Sequence, residues 1–185
     1  DRRQRQMCIR DRDERDFLDR ADILCSLGYT VMISNYKKYY KLCEYLSRYT
    51  SARLGFIVGV DNLIEMFEEK YYRNLNGGIM EAFGIMLTRD IKIYLYPYQS
   101  DTTKELLNSK NIPIHPRAKS IYKYLFNNKR IEDLDYNSEL LNIYSREVLK
   151  RIKACESGSW EEMVPKGVAE IIKEKSLFGM SCKIK

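Results

Sequence analysis

Short apolar runs that alternate with stretches of helical periodicity predict an α/β domain with a parallel sheet. Three runs carry the prediction: Thr30–Ser34, Leu54–Val60 and Ile91–Tyr96. The segments between them are long enough for the crossovers that parallel strands require. The first two runs are apolar throughout, as in strands that helices cover on both faces. The core is therefore predicted as a βαβαβ sheet of Rossmann-like type.

Helical periodicity fills each connection and also precedes the first strand. Apolar residues between Phe17 and Cys25 recur at helical spacing, and Gly28 follows where a C-terminal cap belongs. The helices predicted in this half of the chain cover residues 16–27, 36–49, 63–72 and 79–88. Ile91–Tyr96 alternates more than the other two strands, so we expect it nearer an edge of the sheet.

Helical patterns continue after Pro97, although more weakly. The segments predicted there are a short helix at 102–108, an extended stretch at 112–116, and helices at 117–127, 137–155, 160–164 and 168–175. We therefore predict a Rossmann-like domain over residues 13–135 and a helical C-terminal extension packed on it over residues 136–185.

The first twelve residues stand apart from the rest of the chain. Met7-Cys8-Ile9-Arg10-Asp11-Arg12 resembles one reading frame of the transposase adapter used in DNA library preparation, and a match of this length is not expected by chance. We interpret residues 1–12 as an adapter-derived segment, with a natural basic arm as the alternative. On the first interpretation, the natural protein continues upstream with a further domain.

Composition indicates a globular protein with a buried core. Hydrophobic residues make up 44% of the 185 positions and charged residues 31%. No apolar run approaches the roughly 20 residues that cross a bilayer, and no segment resembles a signal peptide, so we expect no membrane partner. The five cysteines lie far apart without a C-x-x-C pair, which indicates neither a metal site nor a redox motif. We predict a reducing cytoplasm as the compartment.

The net charge of +6 raises nucleic acid as a partner. However, five of the arginines lie in the first twelve residues, and the other basic residues are interleaved with Asp and Glu. This pattern is typical of a solvated mixed surface. The sequence as a whole therefore does not favour a nucleic-acid partner.

Polar residues follow the first two predicted strands. Ser34, Asn35 and Tyr36 come after one strand, and Asp61 and Asn62 come after the other. Ligands of open parallel sheets bind beyond the carboxyl ends of the strands, which makes these residues candidates for ligand binding. Helix capping is the alternative, because Asn and Asp are preferred at helix starts.

A glycine pair precedes one of the predicted helices. Gly77 and Gly78 follow Asn76, and they allow backbone N–H groups to approach an anion closely. Glu81 is near enough in sequence to face the same cleft. We predict that this region binds a small-molecule nucleotide or another phosphorylated ligand, with a plain helix break as the alternative. No catalytic residue and no cofactor is indicated.

The single histidine and the tyrosines give weaker indications of a binding site. His115 is the only histidine, so the sequence offers no histidine pair for a metal. The 15 tyrosines are typical of core residues with polar tips, and a stacking surface for a base or sugar is the alternative.

Several stretches of the chain resemble a bacterial family. They are RADIL at 20–24, VMISNY at 31–36, IEMFEEKYY at 64–72, GGIMEAFG at 77–84, YLYP at 94–97 and WEEMVP at 160–165. The resemblance covers the chain from about Asp16 to Met180. The family is labelled nicotinate-nucleotide adenylyltransferase in genomes and also carries the label TonB-dependent receptor. The receptor label does not fit the α/β periodicity.

The resemblance implies a nucleotide-handling domain of a cytoplasmic bacterial transferase that takes part in NAD biosynthesis. Adenylyltransferases carry a His-x-Gly-His motif after their first strand and an Ile-Ser-Ser-Thr-x-x-Arg motif near their end, and neither motif stands in this chain. Either these motifs lie upstream, or the family label is wrong. A non-catalytic binding or regulatory module and a sugar-nucleotide transferase domain are the alternatives.

Overall fold

The computed structural model of the protein describes residues 14–87, 91–99, 105–156 and 158–180. These residues form two compact units, each with its own hydrophobic core. The central unit is Asn35–Asn142, and the terminal unit combines the residues up to Ser34 with those from Ile143 onward. The predicted adapter-derived segment, residues 1–12, lies outside the described residues.

Seven α-helices and five β-strands lie in the described ranges. The helices are α1 (Glu14–Ser26), α2 (Tyr39–Leu46), α3 (Val60–Met66), α4 (Gly78–Leu87), α5 (Lys119–Asn127), α6 (Ser145–Lys153) and α7 (Val168–Lys175). The strands are β1 (Leu54–Gly59), β2 (Ile91–Tyr96), β3 (Tyr98–Gln99), β4 (Leu106–Leu107) and β5 (Ile131–Asp133). Short 3₁₀ helices cover Glu69–Tyr72, Pro116–Ala118, Ser138–Leu140, Glu161–Met163 and Leu177–Gly179.

The central unit is an α/β structure built on a three-stranded parallel sheet. β2 lies between β1 and β5, with Leu54 opposite Ile91 and Ile93 opposite Ile131. Helices α3 and α4 connect β1 to β2, and α5 lies between β2 and β5 along the chain. The predicted α/β class with parallel strands is therefore confirmed. β3 and β4 form a separate antiparallel pair.

One predicted strand does not form. Thr30–Ser34 has no strand structure, and its apolar residues Met32 and Ile33 are exposed. The third strand of the sheet is instead β5, which has three residues and includes Glu132 and Asp133. An apolar run indicates only a propensity, whereas a strand also needs a neighbour for its backbone hydrogen bonds. β5 is too short and too polar to be recognised by periodicity.

The described sheet buries one face and leaves part of the other exposed. Val58, Ile93 and Leu95 are buried in the core of the central unit. On the other face of β1, Gly55 is exposed and Ile57 is 72% exposed. The prediction that helices cover both faces is therefore wrong. The prediction that β2 lies near an edge is also wrong, because its alternation reflects the half-exposed face of a central strand.

The predicted helices form with altered limits. α7 has the predicted limits, and α1, α4 and α5 differ from theirs by one or two residues at an end. The helices predicted at 63–72 and 137–155 are each divided into an α-helix and a 3₁₀ helix. Leu106 and Leu107 form β4 where a short helix is predicted, and the residues from 100 to 104 lie outside the described ranges.

Trp160 lies at the centre of the terminal unit. Its side chain is 2% exposed and belongs to one apolar cluster with Ile152 of α6 and Ile172 of α7. The Lys173 Nζ atom lies 5.6 Å from the centroid of the indole ring, within the range of a cation–π interaction. Trp160 therefore packs with both of the C-terminal helices.

Helix α1 joins the same core through one apolar and two acidic side chains. Ile23 is part of the cluster around the tryptophan. The buried carboxylate of Asp19 accepts a hydrogen bond from the backbone N–H of Phe178. The Asp16 Oδ2 atom lies 3.2 Å from the Lys153 Nζ atom. These contacts place α1 with the C-terminal segments, whereas the predicted domain limits group it with the sheet in residues 13–135.

No helix in the described ranges is long and apolar enough to cross a membrane. Cys155 is disulfide-bonded.

Two free thiols of the chain have different surroundings, and we expect different reactivity. Cys43 is fully buried, and burial raises the pKa of its thiol to about 12, whereas Cys25 is exposed. At pH 8 only about one Cys43 side chain in 10,000 is a thiolate, the form that reacts. Iodoacetamide should therefore modify Cys25 and spare Cys43 until urea unfolds the chain, as measured by mass spectrometry of the two peptides. Equal modification rates in native buffer would contradict this.

Candidate functional site

The residues predicted to bind a ligand lie in three places. Ser34, Asn35 and Tyr36 are exposed residues of an irregular segment, and Ser34 belongs to the terminal unit whereas the other two belong to the central unit. Because the strand predicted before them does not form, Asn35 does not stand at the carboxyl end of a strand. Asp61 and Asn62 do follow a strand, since they lie in the first turn of α3 directly after β1.

The third place is the glycine pair at the start of α4. The structure brings Gly77 and Glu81 into contact, because the Gly77 N–H donates to the Glu81 Oε2 atom over 2.7 Å. The Gly78 N–H donates to the Leu75 carbonyl over 3.1 Å. Gly78 itself has φ +55, a left-handed conformation that favours glycine. Both N–H groups that the sequence offers to a phosphate therefore have partners within the chain.

The carboxyl end of β5 is hydrogen-bonded to a neighbouring loop. Asp133 accepts hydrogen bonds from the Ser109 N–H over 2.8 Å and from the Ser109 Oγ over 2.6 Å. The Tyr122 hydroxyl donates to the Ser109 carbonyl over 2.6 Å. Burial, and secondarily the Asp133 charge, raise the pKa of Tyr122 to about 12. These bonds hold the loop at Ser109 over the end of the strand.

A basic cavity of about 350 Å³ lies at the opposite, amino ends of the strands. Its lining residues are Arg53, Leu87, Lys92, Tyr124, Asn128, Lys129 and Arg130. Arg53 directly precedes β1, Lys92 is the second residue of β2, and residues 128–130 connect α5 to β5. The parallel arrangement of the three strands is therefore what brings these distant segments together.

Backbone and side-chain contacts hold two of the cations in place. The Lys92 Nζ atom lies 2.6 Å from the Glu132 Oε2 atom on the neighbouring strand. The same Nζ atom lies 5.4 Å from the centroid of the Tyr94 ring. Arg130 donates from its Nη1 atom to the Ile91 carbonyl over 3.3 Å. Both cations are thus anchored on β2 and at the start of β5.

The turn after α5 positions the rest of the cavity wall. Asn128 donates from its Nδ2 atom to the Tyr124 carbonyl over 2.7 Å. Lys129 has φ +54, which ends the helix in a left-handed residue and turns the chain into β5. The Tyr124 ring is exposed beside this turn. The wall therefore combines charged, amide and aromatic groups.

The charge balance of the cavity favours an anion. Of the seven lining residues within the described ranges, four are basic and none is acidic, and the nearby Glu132 pairs with Lys92. Outside the cavity, His115 accepts the Arg117 N–H at its Nδ1 atom over 3.3 Å and begins a 3₁₀ helix. Within the described ranges, no group of three His, Cys, Asp or Glu side chains is placed to hold a metal ion.

None of the lining residues was predicted from the sequence. The adjacent pair Lys129 and Arg130 was the available signal, because two cations just before a strand stand at its amino end. This signal can be used only if residues 131–133 are recognised as a strand. No such sequence signal distinguishes Arg53 or Lys92, and the charge pattern predicts both as part of a mixed surface.

Comparison of the chain with models of protein families, with curated proteins and with solved structures found no match. The similarity to the nicotinate-nucleotide adenylyltransferase family therefore stays an expectation that rests on the stretches quoted above.

Proposed function

We propose that the central unit binds a phosphorylated small molecule of the nucleotide class in the basic cavity. The observation that carries the proposal is the set of four basic side chains around one cavity, with no acidic residue among the lining residues that the structure describes. A volume of about 350 Å³ lies within the range of roughly 300–1,000 Å³ that small-molecule sites occupy. Arginine and lysine are the side chains that proteins use most to bind phosphate.

The aromatic part of the wall supports a nucleotide over inorganic phosphate. Tyr124 presents an exposed ring beside the cations, and such rings stack on bases. Asn128 adds an amide that can donate to and accept from a base or a sugar. We also propose a Rossmann-like relation for the sheet, because its strands are parallel neighbours in chain order with helices between them.

The location of this cavity differs from the common rule for parallel sheets. Ligands usually bind beyond the carboxyl ends of the strands. Here Asp133 holds Ser109 at that edge, and the Glu81 carboxylate already accepts the Gly77 N–H. A phosphate at the glycine pair would have to displace a carboxylate of like charge. At the amino edge Glu132 pairs with Lys92, but three further basic side chains line the cavity, which favours this edge as the site.

Charge reversal at Lys129 is expected to weaken nucleotide binding by about 10- to 100-fold. The estimate follows from the loss of one charge-assisted hydrogen bond, worth roughly 1.5–3 kcal/mol. Lys129→Glu removes a lining cation at an exposed turn, so folding should be little affected. Isothermal titration calorimetry of the 185-residue chain with AMP, ATP and pyrophosphate measures the effect.

Lys123→Glu is the matched control, because Lys123 is exposed on the same helix α5 but does not line the cavity. It makes the same change in net charge and should leave affinity within about twofold at 0.15 M salt, where screening acts over about 8 Å. If both variants weaken binding equally, or if the wild type binds none of the three probes, the proposal is wrong.

The adenylyl transfer that the resemblance implies is a further proposal. Its test is the formation of a dinucleotide and pyrophosphate from ATP and nicotinate mononucleotide by the same chain, with Lys129→Glu as the comparison. Binding without conversion would favour the binding or regulatory module.

A further inference from the structure

Three adjacent tyrosine rings form a row on the central unit, which we call the tyrosine row. The centroids of Tyr36 and Tyr45 are 5.1 Å apart, and those of Tyr45 and Tyr49 are 4.9 Å apart. Tyr36 is 42% exposed and Tyr49 is 72% exposed. Tyr45 between them is half-buried. A row of three rings whose two outer members are exposed differs from single exposed apolar residues, which are common on protein surfaces.

The secondary structure explains why the rings meet. Tyr45 lies in α2, and Tyr49 follows four residues later in the turns that end the helix, so both rings lie on one side. The opposite side of α2 is buried, where Tyr40 and Cys43 belong to the core. The row therefore lies on the side of α2 that does not contribute to the hydrophobic core.

The charge around the row favours an anionic ligand. Between Tyr36 and Arg53 the sequence has five basic residues and one acidic residue, Glu44: the basic ones are Lys37, Lys38, Lys41, Arg48 and Arg53. Lys38 is engaged with the Tyr71 carbonyl and with the Asn74 Oδ1 atom at 2.9 Å. Arg48 pairs with Glu44 at 3.5 Å. Lys37 and Lys41 are exposed, and they lie next to Tyr36 in the sequence and one helical turn before Tyr45. A neutral sugar would gain nothing from these charges, whereas a phosphodiester chain would.

The row and the basic cavity lie close together along the chain. Tyr49 precedes Arg53, a residue of the cavity wall, by four positions. An extended chain spans at most about 3.6 Å per residue, so the two Cα atoms lie within about 14 Å. That distance corresponds to about four stacked nucleotides at 3.4 Å each.

We propose that the tyrosine row stacks on the bases of a short single-stranded nucleic acid whose phosphates run toward the basic cavity. The inference rests on the proposed function, because the cavity supplies the phosphate site at one end. Aromatic rings bind the faces of bases with little preference for sequence, and cations alongside follow the backbone. The net charge of the whole chain gave no such indication, since only the folded structure shows which tyrosines and lysines share a surface.

Fluorescence anisotropy with labelled eight-nucleotide single strands of DNA and RNA tests the proposal on the whole chain. Tyr49→Ala should weaken binding about 5- to 100-fold, the effect of losing one base-stacking ring. Tyr49→Phe keeps the ring and should bind like the wild type. Tyr136→Ala removes an exposed tyrosine outside the row and is the matched control. Circular dichroism checks that all three variants are folded.

Four results would overturn the inference: no binding of single strands, equal affinity for a duplex, equal effects of Tyr49→Ala and Tyr136→Ala, or no effect of Tyr49→Ala. The proposed function and the tyrosine-row proposal can fail independently of each other. If Lys129→Glu weakens AMP binding but single strands do not bind, only the tyrosine row is wrong. If single strands bind in a Tyr49-dependent way and Lys129→Glu leaves AMP binding unchanged, only the cavity proposal is wrong.

Discussion

Replacing Trp160 with alanine is expected to lower the free energy of unfolding by about 3–5 kcal/mol. The value is typical of large-to-small changes at fully buried aromatic residues, which lose apolar contacts and leave a cavity. Trp160 is the largest fully buried side chain of the terminal unit, and it lies in one cluster with residues of α1, α6 and α7. For a chain of this length, the midpoint of thermal unfolding should fall by roughly 6–20 °C.

Urea unfolding followed by circular dichroism measures the loss, because the variant has no tryptophan left for fluorescence. Leu18→Ala is the control, since Leu18 is exposed on α1 of the same unit. We expect it to change stability by less than about 0.5 kcal/mol. Hydrogen exchange should locate the loss of protection in the terminal unit. A loss of under 1 kcal/mol for Trp160→Ala would mean that the tryptophan is not the centre of this core.

Phe67→Ala should have an effect of similar size in the central unit, about 3–5 kcal/mol. Phe67 is 1% exposed. Its ring lies 4.9 Å from that of Phe83 in a stacked arrangement and 5.3 Å from that of Tyr122 in an edge-to-face arrangement. Aromatic pairs add about 0.5–1.5 kcal/mol each beyond burial. The ring connects α4 and α5, so its loss should weaken both.

Phe67→Leu separates the contribution of apolar burial from that of the aromatic contacts. Leucine keeps most of the apolar volume but loses the ring geometry, so its cost should be clearly smaller than that of alanine. Met80→Ala is the surface control, because Met80 is exposed on α4. Chemical denaturation of the three variants, with the slope of each transition compared, gives the result. Equal losses for Phe67→Ala and Met80→Ala would contradict the position of Phe67 in the core.

Local patterns were sufficient for the helices and for two strands. The limits of β2 and α7 follow from the sequence, because each is one continuous segment with its own periodicity and clear end signals. The same local evidence also predicted a strand at Thr30–Ser34. That prediction failed because an apolar run does not specify a pairing partner, and β5 paired with β2 instead.

The sequence by itself determined the fold class, the chain positions of most helices and the presence of polar residues after β1. Tertiary structure alone decided which charged groups lie close together. Glu81 turned out to accept the Gly77 N–H rather than to line a phosphate site. Arg53, Lys92 and Lys129 come from three separate segments, and only the alignment of parallel strands brings them to one cavity. Periodicity reports on neighbours along the chain, whereas this cavity depends on neighbours across the sheet.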